Sequence, residues 1–481
     1  MRIFKRFFVL MLIMVGVSAQ ASFDQNLVLN VKKNVVSITT RKNISAYSDN
    51  IQSFGTGFIV NKEKGIILTN KHVVGAASIA SYEVSFFDGT EVDAQFVYVD
   101  PWHDFAFIKV NPKQIPAGTP KLVIAKDEAV LGEPIFIIGK NANQNYSLQT
   151  GEISSIYESI GTLPNQSYRI SLNARGGASG SPVVNMKGEV VALIHSSDFD
   201  NFAFALPMSY ANDALVSLLQ KKQPSRKHTG MILDYYSLDR AVKYFHFPQE
   251  KVDAFMKSYP DSFNRGLRVL EIFKGSPAMD KLQVGDMIWS IEGEEIGPKL
   301  YLLEKKLNDL SKDKVKLSVY REGKLLDVEV GLYDLFKTRI KRMVSFGGAV
   351  FYERDDFIRK LTNAPEKSVF ISNIKEGSSF SGRFPPIPGA QKLFIKISSF
   401  SGKPVETLDD LIKVIPELIK MKNFNTSYKN YGVYLAHDNL PVFSHSETCL
   451  EVSYNDIDGT PMVYDYDDST GAWKGKEIPL K

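Results

Sequence analysis

A histidine at position 72, an aspartate at 104 and a serine at 179 each stand in a short stretch that suits them to one chemistry. Ser179 lies in Gly177-Ala178-Ser179-Gly180-Ser181-Pro182. Glycines on both sides favour a tight turn that exposes the hydroxyl and aims the backbone N–H groups of Gly177 and Ser179 at one point, where they would stabilise an oxyanion. His72 follows an apolar run ending at Thr69, where a strand end leaves a side chain free to face a cleft. Asp104 directly precedes the apolar residues 105–108, at the lip of a core, where a carboxylate could hold the imidazole in one tautomer. A serine hydroxyl is a poor nucleophile until such a base takes its proton, so together the three read as a hydrolytic triad.

Each residue also has a plainer reading: a Gly/Ser loop, a histidine without duty, and a turn aspartate in Pro101-Trp102-His103-Asp104. The combination and its order decide between them. His103 is a rival base with no comparable partner to orient it. No H-E-x-x-H pattern, phosphate-cradling glycine loop or second cysteine occurs, so neither a metal nor a cofactor is expected.

The 481 residues exceed one ordinary core, and 44% hydrophobic and 23% charged residues are the composition of a folded chain. A net charge of +4, dispersed apart from Lys221, Lys222, Arg226 and Lys227, gives nucleic-acid binding no support. Cys449 alone cannot form an internal disulfide. At the start, Arg2, Lys5 and Arg6 precede the apolar residues 7–17, followed by Ala19 and Ala21. The run is about half of the ~20 residues a membrane span needs, so residues 1–21 are expected to be a cleaved signal peptide and the protein exported, periplasmic or secreted.

The elements that must position the triad come next. Short β-branched runs punctuated by Gly, Asn, Asp and Pro, the first at residues 31–40, predict an all-β unit over 22–220. It closes with a helix capped by Ser209, and residues 221–228 form a boundary. Over 225–335 strands alternate with helices around 302–310 and the turn Val284-Gly285-Asp286. A weaker echo follows over 340–425, so two copies of one module are expected. Residues 426–481, rich in Tyr and Asp, read as an extension without an assigned role.

Thr69-Asn70-Lys71-His72-Val73-Val74, Asp104-Phe105-Ala106 and the Ser179 segment, with Phe54-Gly55-Thr56-Gly57-Phe58 and Phe204-Ala205-Leu206-Pro207, resemble the HtrA/Deg serine proteases. The resemblance implies a chymotrypsin-like double β-barrel followed by α+β PDZ-type domains. It also implies His72 as general base, Asp104 as orienting acid, Ser179 as nucleophile, and Gly177 and Ser179 as oxyanion donors. The function implied is ATP-independent cleavage of unfolded or misfolded proteins. The alternative is a non-catalytic peptide-binding scaffold or holdase that retains the protease shell. Ser181 replaces the glycine usual after the catalytic Ser-Gly pair. Asn173, six residues before Ser179, would floor a neutral substrate pocket, and His195 is a second pocket candidate. It falls one residue beyond the glutamyl-endopeptidase spacing, however, and a one-residue slip turns a strand side chain to the other face.

Within the first module, Gly275-Ser276-Pro277-Ala278 and Gly285-Asp286-Met287-Ile288 look like a PDZ domain. Its loop Thr229-Gly230-Met231-Ile232 would capture a peptide C-terminus. Phe346-Gly347-Gly348-Ala349 is the corresponding loop of the second copy. Relatives form trimers through the start of the protease domain, which directs the search for subunit contacts to residues 22–29.

Overall fold

The computed structural model describes residues 24–46, 52–142, 144–160, 163–197, 202–362, 364–384, 392–433, 443–444, 447–468 and 470–480; the expected signal peptide lies outside them. A helix, Gln25–Asn34, opens the described chain, with the Asp24 carboxylate accepting from the Asn26 N–H as its cap. Residues 31–34 therefore end a helix rather than begin a strand. Leu27, Val28 and Val31 form its apolar stripe against the core, and buried Asn34 closes it by donating to Ile59 and Pro120 carbonyls.

Six antiparallel strands then close a first barrel in the order Val35–Ser45, Gln52–Asn61, Ile66–Thr69, Ala106–Lys109, Glu91–Val99 and Ser78–Ser85. A second barrel runs Pro182–Asn185, Pro134–Asn141, Gln144–Ile160, Leu163–Ile170, Ala203–Pro207 and Glu189–Ser197, and closes through pairing of the first with the last. One core joins them: Phe58, Leu68, Phe105 and Phe107 of the first barrel share a cluster with Phe136, Ile138, Val184 and Leu193 of the second. The helix Met208–Leu219 seals that core with Tyr210, Ala211 and Ala214. Its N-cap is Pro207, not Ser209, because the strand Ala203–Pro207 runs straight into it and its backbone turns helical two residues earlier.

The next unit is a sheet in the order Met231–Ser237, Arg265–Ile272, Met287–Ile291, Lys314–Arg321 and Lys324–Gly331, covered by the helix Leu300–Asp309. The last unit repeats this path as Ala349–Glu353, Val369–Ser372, Lys392–Phe400, Asn423–Val433 and Thr448–Ser453, with the helix Leu408–Met421 in the matching place. Residues 423–433 and 448–453 thus complete the second copy, which corrects its expected end at 425. Beyond them, Met462–Asp467 and Ala472–Glu477 extend the same sheet on its other side, past Arg342–Phe346. Sequence spacing could not show this, because the extension pairs with a strand more than a hundred residues earlier. Among the described residues no helix is long and apolar enough to cross a membrane.

Candidate active site

His72 sits in the single turn Lys71–Val74, which follows the strand Ile66–Thr69. Its backbone N–H donates to Asp104 Oδ1 at 3.0 Å and its ring Nδ1 lies 2.7 Å from Asp104 Oδ2. The carboxylate therefore grips the histidine at two points and sets both the ring's direction and its tautomer. Asp104 is 5% exposed, whereas the His72 side chain is 49% exposed, so the acid is hidden and the ring faces the cleft. Burial pulls the His72 pKa down, but the charge and hydrogen bond of Asp104 outweigh it and raise the net value. Burial alone would raise the Asp104 pKa; the His72 partner brings it down to about 2.

The turn that carries Asp104 is itself anchored. Asp100, fully buried, accepts from the Trp102 and His103 N–H groups, from the Tyr98 hydroxyl and from the Arg226 guanidinium. Asn70 Nδ2 donates to the Asp104 carbonyl at 2.7 Å and fixes the residue from the histidine side. The rival base His103 is 1% exposed and faces Glu304 of the following domain, Nε2 to Oε2 3.6 Å, so it takes no part in the cleft.

Ser179 comes from the second barrel, and Thr56 of the first barrel holds its loop in place. The Thr56 N–H donates to the Ser179 carbonyl at 2.8 Å and its hydroxyl donates to the Gly177 carbonyl at 2.8 Å. The carbonyls on either side of Ala178 are thus engaged. Among the described residues the N–H groups of Gly177 and Ser179 donate to no protein acceptor, which leaves them available to a substrate oxygen. Gly180, at φ +88°, crosses so close to Thr56 that a Cβ there would lie 1.9 Å from its carbonyl oxygen. Gly55 fits between Val73 and the Ser179 carbonyl in the same way, so this seam lies between the histidine and the serine. Ser181 fits because its neighbour is Gly139, where a Cβ would meet the Ser181 hydroxyl at 2.0 Å. Among the described residues Ser179 Oγ makes no hydrogen bond to protein.

The pocket candidates separate. Asn173 is exposed beside the Ser179 loop, with no charge to offer a substrate. His195 is 4% exposed with Nε2 3.0 Å from Ser167 Oγ, and the strand carrying it bulges between Ile194 and Ser196. The nitrogen that would receive a substrate carboxylate is thereby occupied by Ser167, and burial lowers the ring's pKa to about 4. His195 is a neutral core residue near Asp104, not an open pocket residue, as the spacing argument foreshadowed. Sequence reasoning missed Thr56 and Asp100 as organisers of the site; the glycines on both sides of Thr56 were the available signal for the first.

The segment Thr229-Gly230-Met231-Ile232 lies at the start of an edge strand and beside a helix, and its N–H groups are partly engaged. Gly230 N–H donates to His228 Nδ1 at 3.0 Å, and Met231 N–H reaches Thr229 Oγ1 at 3.4 Å. Thr229, Met231 and Ile232 are buried, and a small cleft beside them is walled by Leu300, Leu303, Leu307 and Glu304 of the helix. Trp102 of the protease domain forms its remaining wall, 4.5 Å from the His228 ring. No group of metal-ligating side chains occurs among the described residues.

Residues 55–193 match the trypsin-like peptidase domain family and residues 248–332 the PDZ domain family. The pro-apoptotic serine protease NMA111 of Saccharomyces cerevisiae is 28% identical over 467 residues, covering 94% of this chain and 45% of the relative. The protein of the same name in Chaetomium globosum is 31% identical over 370 residues, covering 74% and 35%. The chain thus spans less than half the length of these curated relatives. Among solved structures, the HtrA-type protease AlgW with a tripeptide aligns at TM-score 0.47 and 22% identity, covering 64% of this chain and 96% of that one. The serine endoprotease from Yersinia pestis aligns at 0.43 and 19%, covering 66% and 99%. The chain thus carries a trypsin-like peptidase domain followed by a PDZ domain, and along nearly all of its length it is similar to serine proteases.

Proposed function

We propose that the chain is an ATP-independent serine endopeptidase that hydrolyses peptide bonds of unfolded or misfolded proteins. The observation that carries this reading is the two-point grip of buried Asp104 on exposed His72, beside a serine loop with two free N–H groups. In this mechanism Ser179 Oγ attacks the scissile carbonyl while His72 Nε2 takes its proton, and Asp104 stabilises the imidazolium through Nδ1–H. The N–H groups of Gly177 and Ser179 hold the resulting oxyanion. As the C–N bond breaks, His72 returns the proton to the leaving amine, and water then cleaves the acyl-enzyme by the same route. A scaffold or holdase has no need of so closely held an acid and base.

The neutral side chain of Asn173 offers no counter-charge, which favours apolar residues at the cleavage point over Lys or Arg. The apolar cleft beside Thr229 and Gly230 suits the C-terminal side chain of a client peptide, which would raise the local concentration of substrate. A signal-peptide-like start supports export, and residues 22–29, of which 22 and 23 lie outside the described residues and 25–29 begin the first helix, are the region proposed for subunit contacts. The test is digestion of reduced, unfolded casein without nucleotide: the native chain cleaves it, the Ser179→Ala variant does not, and undiminished cleavage by the variant would remove the assignment.

A further inference from the structure

The two PDZ-type modules superpose in connectivity, and two contacts align them residue by residue. In the first, the Phe273 N–H donates to the Gly230 carbonyl at 2.8 Å, and a Cβ on Gly230 (φ +92°) would lie 2.1 Å from Ser276 Cβ. In the second, the Lys375 N–H donates to the Gly348 carbonyl at 2.9 Å, and a Cβ on Gly348 (φ +74°) would lie 2.2 Å from Ser378 Cβ. Gly348 therefore stands where Gly230 stands, at the head of the edge strand on which a PDZ ligand would add.

The edges differ. Among the described residues, Met231–Ser237 pairs only with Arg265–Ile272, and its outer side carries no strand. Its counterpart Ala349–Glu353 is paired on that outer side with Arg342–Phe346, antiparallel, from Phe346↔Ala349 to Met343↔Tyr352. Gly347 and Gly348, both at positive φ, make the two-residue turn between them, so the segment expected as a carboxylate-binding loop is a hairpin turn. The helix Leu408–Met421 packs against both strands of the hairpin. Phe346, 2% exposed, fills the space between sheet and helix, stacked on Phe424 and Tyr454, with Val344 buried in the same core. Met343, on the opposite face, packs with Ile44, Ala46 and Ile79 of the first barrel. The outer side of Arg342–Phe346 is in turn covered by Met462–Asp467.

We infer that the second PDZ-type module carries its own ligand: Arg342–Phe346 occupies the strand position and Phe346 the side-chain pocket of a bound peptide. This module takes no free C-terminus. It serves instead as a fixed brace, with Ser372 Oγ donating to the carbonyls of Ser45 and Ala46 on the protease barrel. Tethering through a two-residue turn gives the inner strand an effective concentration no free peptide reaches.

The test uses the full chain with Ser179→Ala, to prevent cleavage, and Cys449→Ser. Ser345→Cys with Val350→Cys places a disulfide across a register pair one step from the turn, where a Cα separation of about 4.5–5.5 Å allows the bond. A fluorescein-labelled decapeptide ending in Val-Phe carboxylate is titrated into the oxidised and reduced forms. Identical isotherms are expected, whereas loss of a binding site on oxidation would overturn the inference. Hydrogen exchange on the chain without the added cysteines decides independently of whether the disulfide variant folds. Amides of Ala349–Glu353 are expected to be as protected as those of Val369–Ser372, with and without saturating peptide. Faster exchange at residues 342–346 on adding peptide would overturn the proposal, and neither outcome depends on proteolytic activity.

Discussion

The first barrel pairs His72 with Asp104, whereas among the described residues the serine hydroxyl of the second makes no hydrogen bond to protein. His72 and Asp104 are locked together by two hydrogen bonds, and Asp100 and Asn70 hold the turn beneath them. Ser179 is fixed through its backbone alone, by Thr56 across the seam. On the proposed reading, acid and base are prepared by their mutual hydrogen bonds, while the last alignment of the serine side chain is left to the substrate.

That contrast can be broken in order of severity. Replacing the base, His72→Ala, removes the one group able to take the serine proton and is expected to lower kcat by about 10⁶-fold, read by cleavage of a fluorogenic peptide. Asp104→Asn keeps the shape but reverses the hydrogen-bond demand on Nδ1, with an expected loss of about 10⁴-fold in kcat. Arg226→Met leaves Asp100 buried without its counter-charge, and chemical denaturation should show a loss of about 3–5 kcal/mol. A milder effect is expected for Gly180→Ala, which forces a side chain toward the Thr56 carbonyl at positive φ: a loss of about 1–3 kcal/mol and a disturbed serine loop.

The smallest effect is a pH dependence. His72 must be neutral to accept a proton, and its pKa is raised by Asp104. Activity is therefore present above that pKa and falls about tenfold per unit below it, with a midpoint above the ordinary histidine value near 6.5. His195, held neutral down to about pH 4, contributes nothing to that limb, so His195→Asn should leave the midpoint in place.

The three residues of the proposed triad stood out in the sequence because each sits in a local pattern: a strand end, the lip of an apolar run, a glycine turn. The supports did not. Asp100 and Arg226 are 126 residues apart, and nothing near either residue announces the other. The start of the chain misled because Val31, Val35 and Val36 read as one β-branched run. The spacing of Leu27, Val28 and Val31 was the helical signal, and the cap at Asp24 confirms where the helix begins. The repeated path of five strands and a helix was visible in part in the order of strands and helix along the sequence. Occupation of its edge by Arg342–Phe346 was not, because the pattern that marks a loop with two glycines also marks a hairpin turn. The Tyr- and Asp-rich tail read as strands and turns without a role for a related reason: its strands lie on the edge of a sheet built elsewhere.

The most direct measurement of the central claim is reaction with diisopropyl fluorophosphate followed by peptide mapping. A single adduct on Ser179 is expected, forming faster as pH rises through the His72 pKa and lost in His72→Ala. No adduct, or an adduct on Ser179 that forms at the same rate without His72, would contradict it.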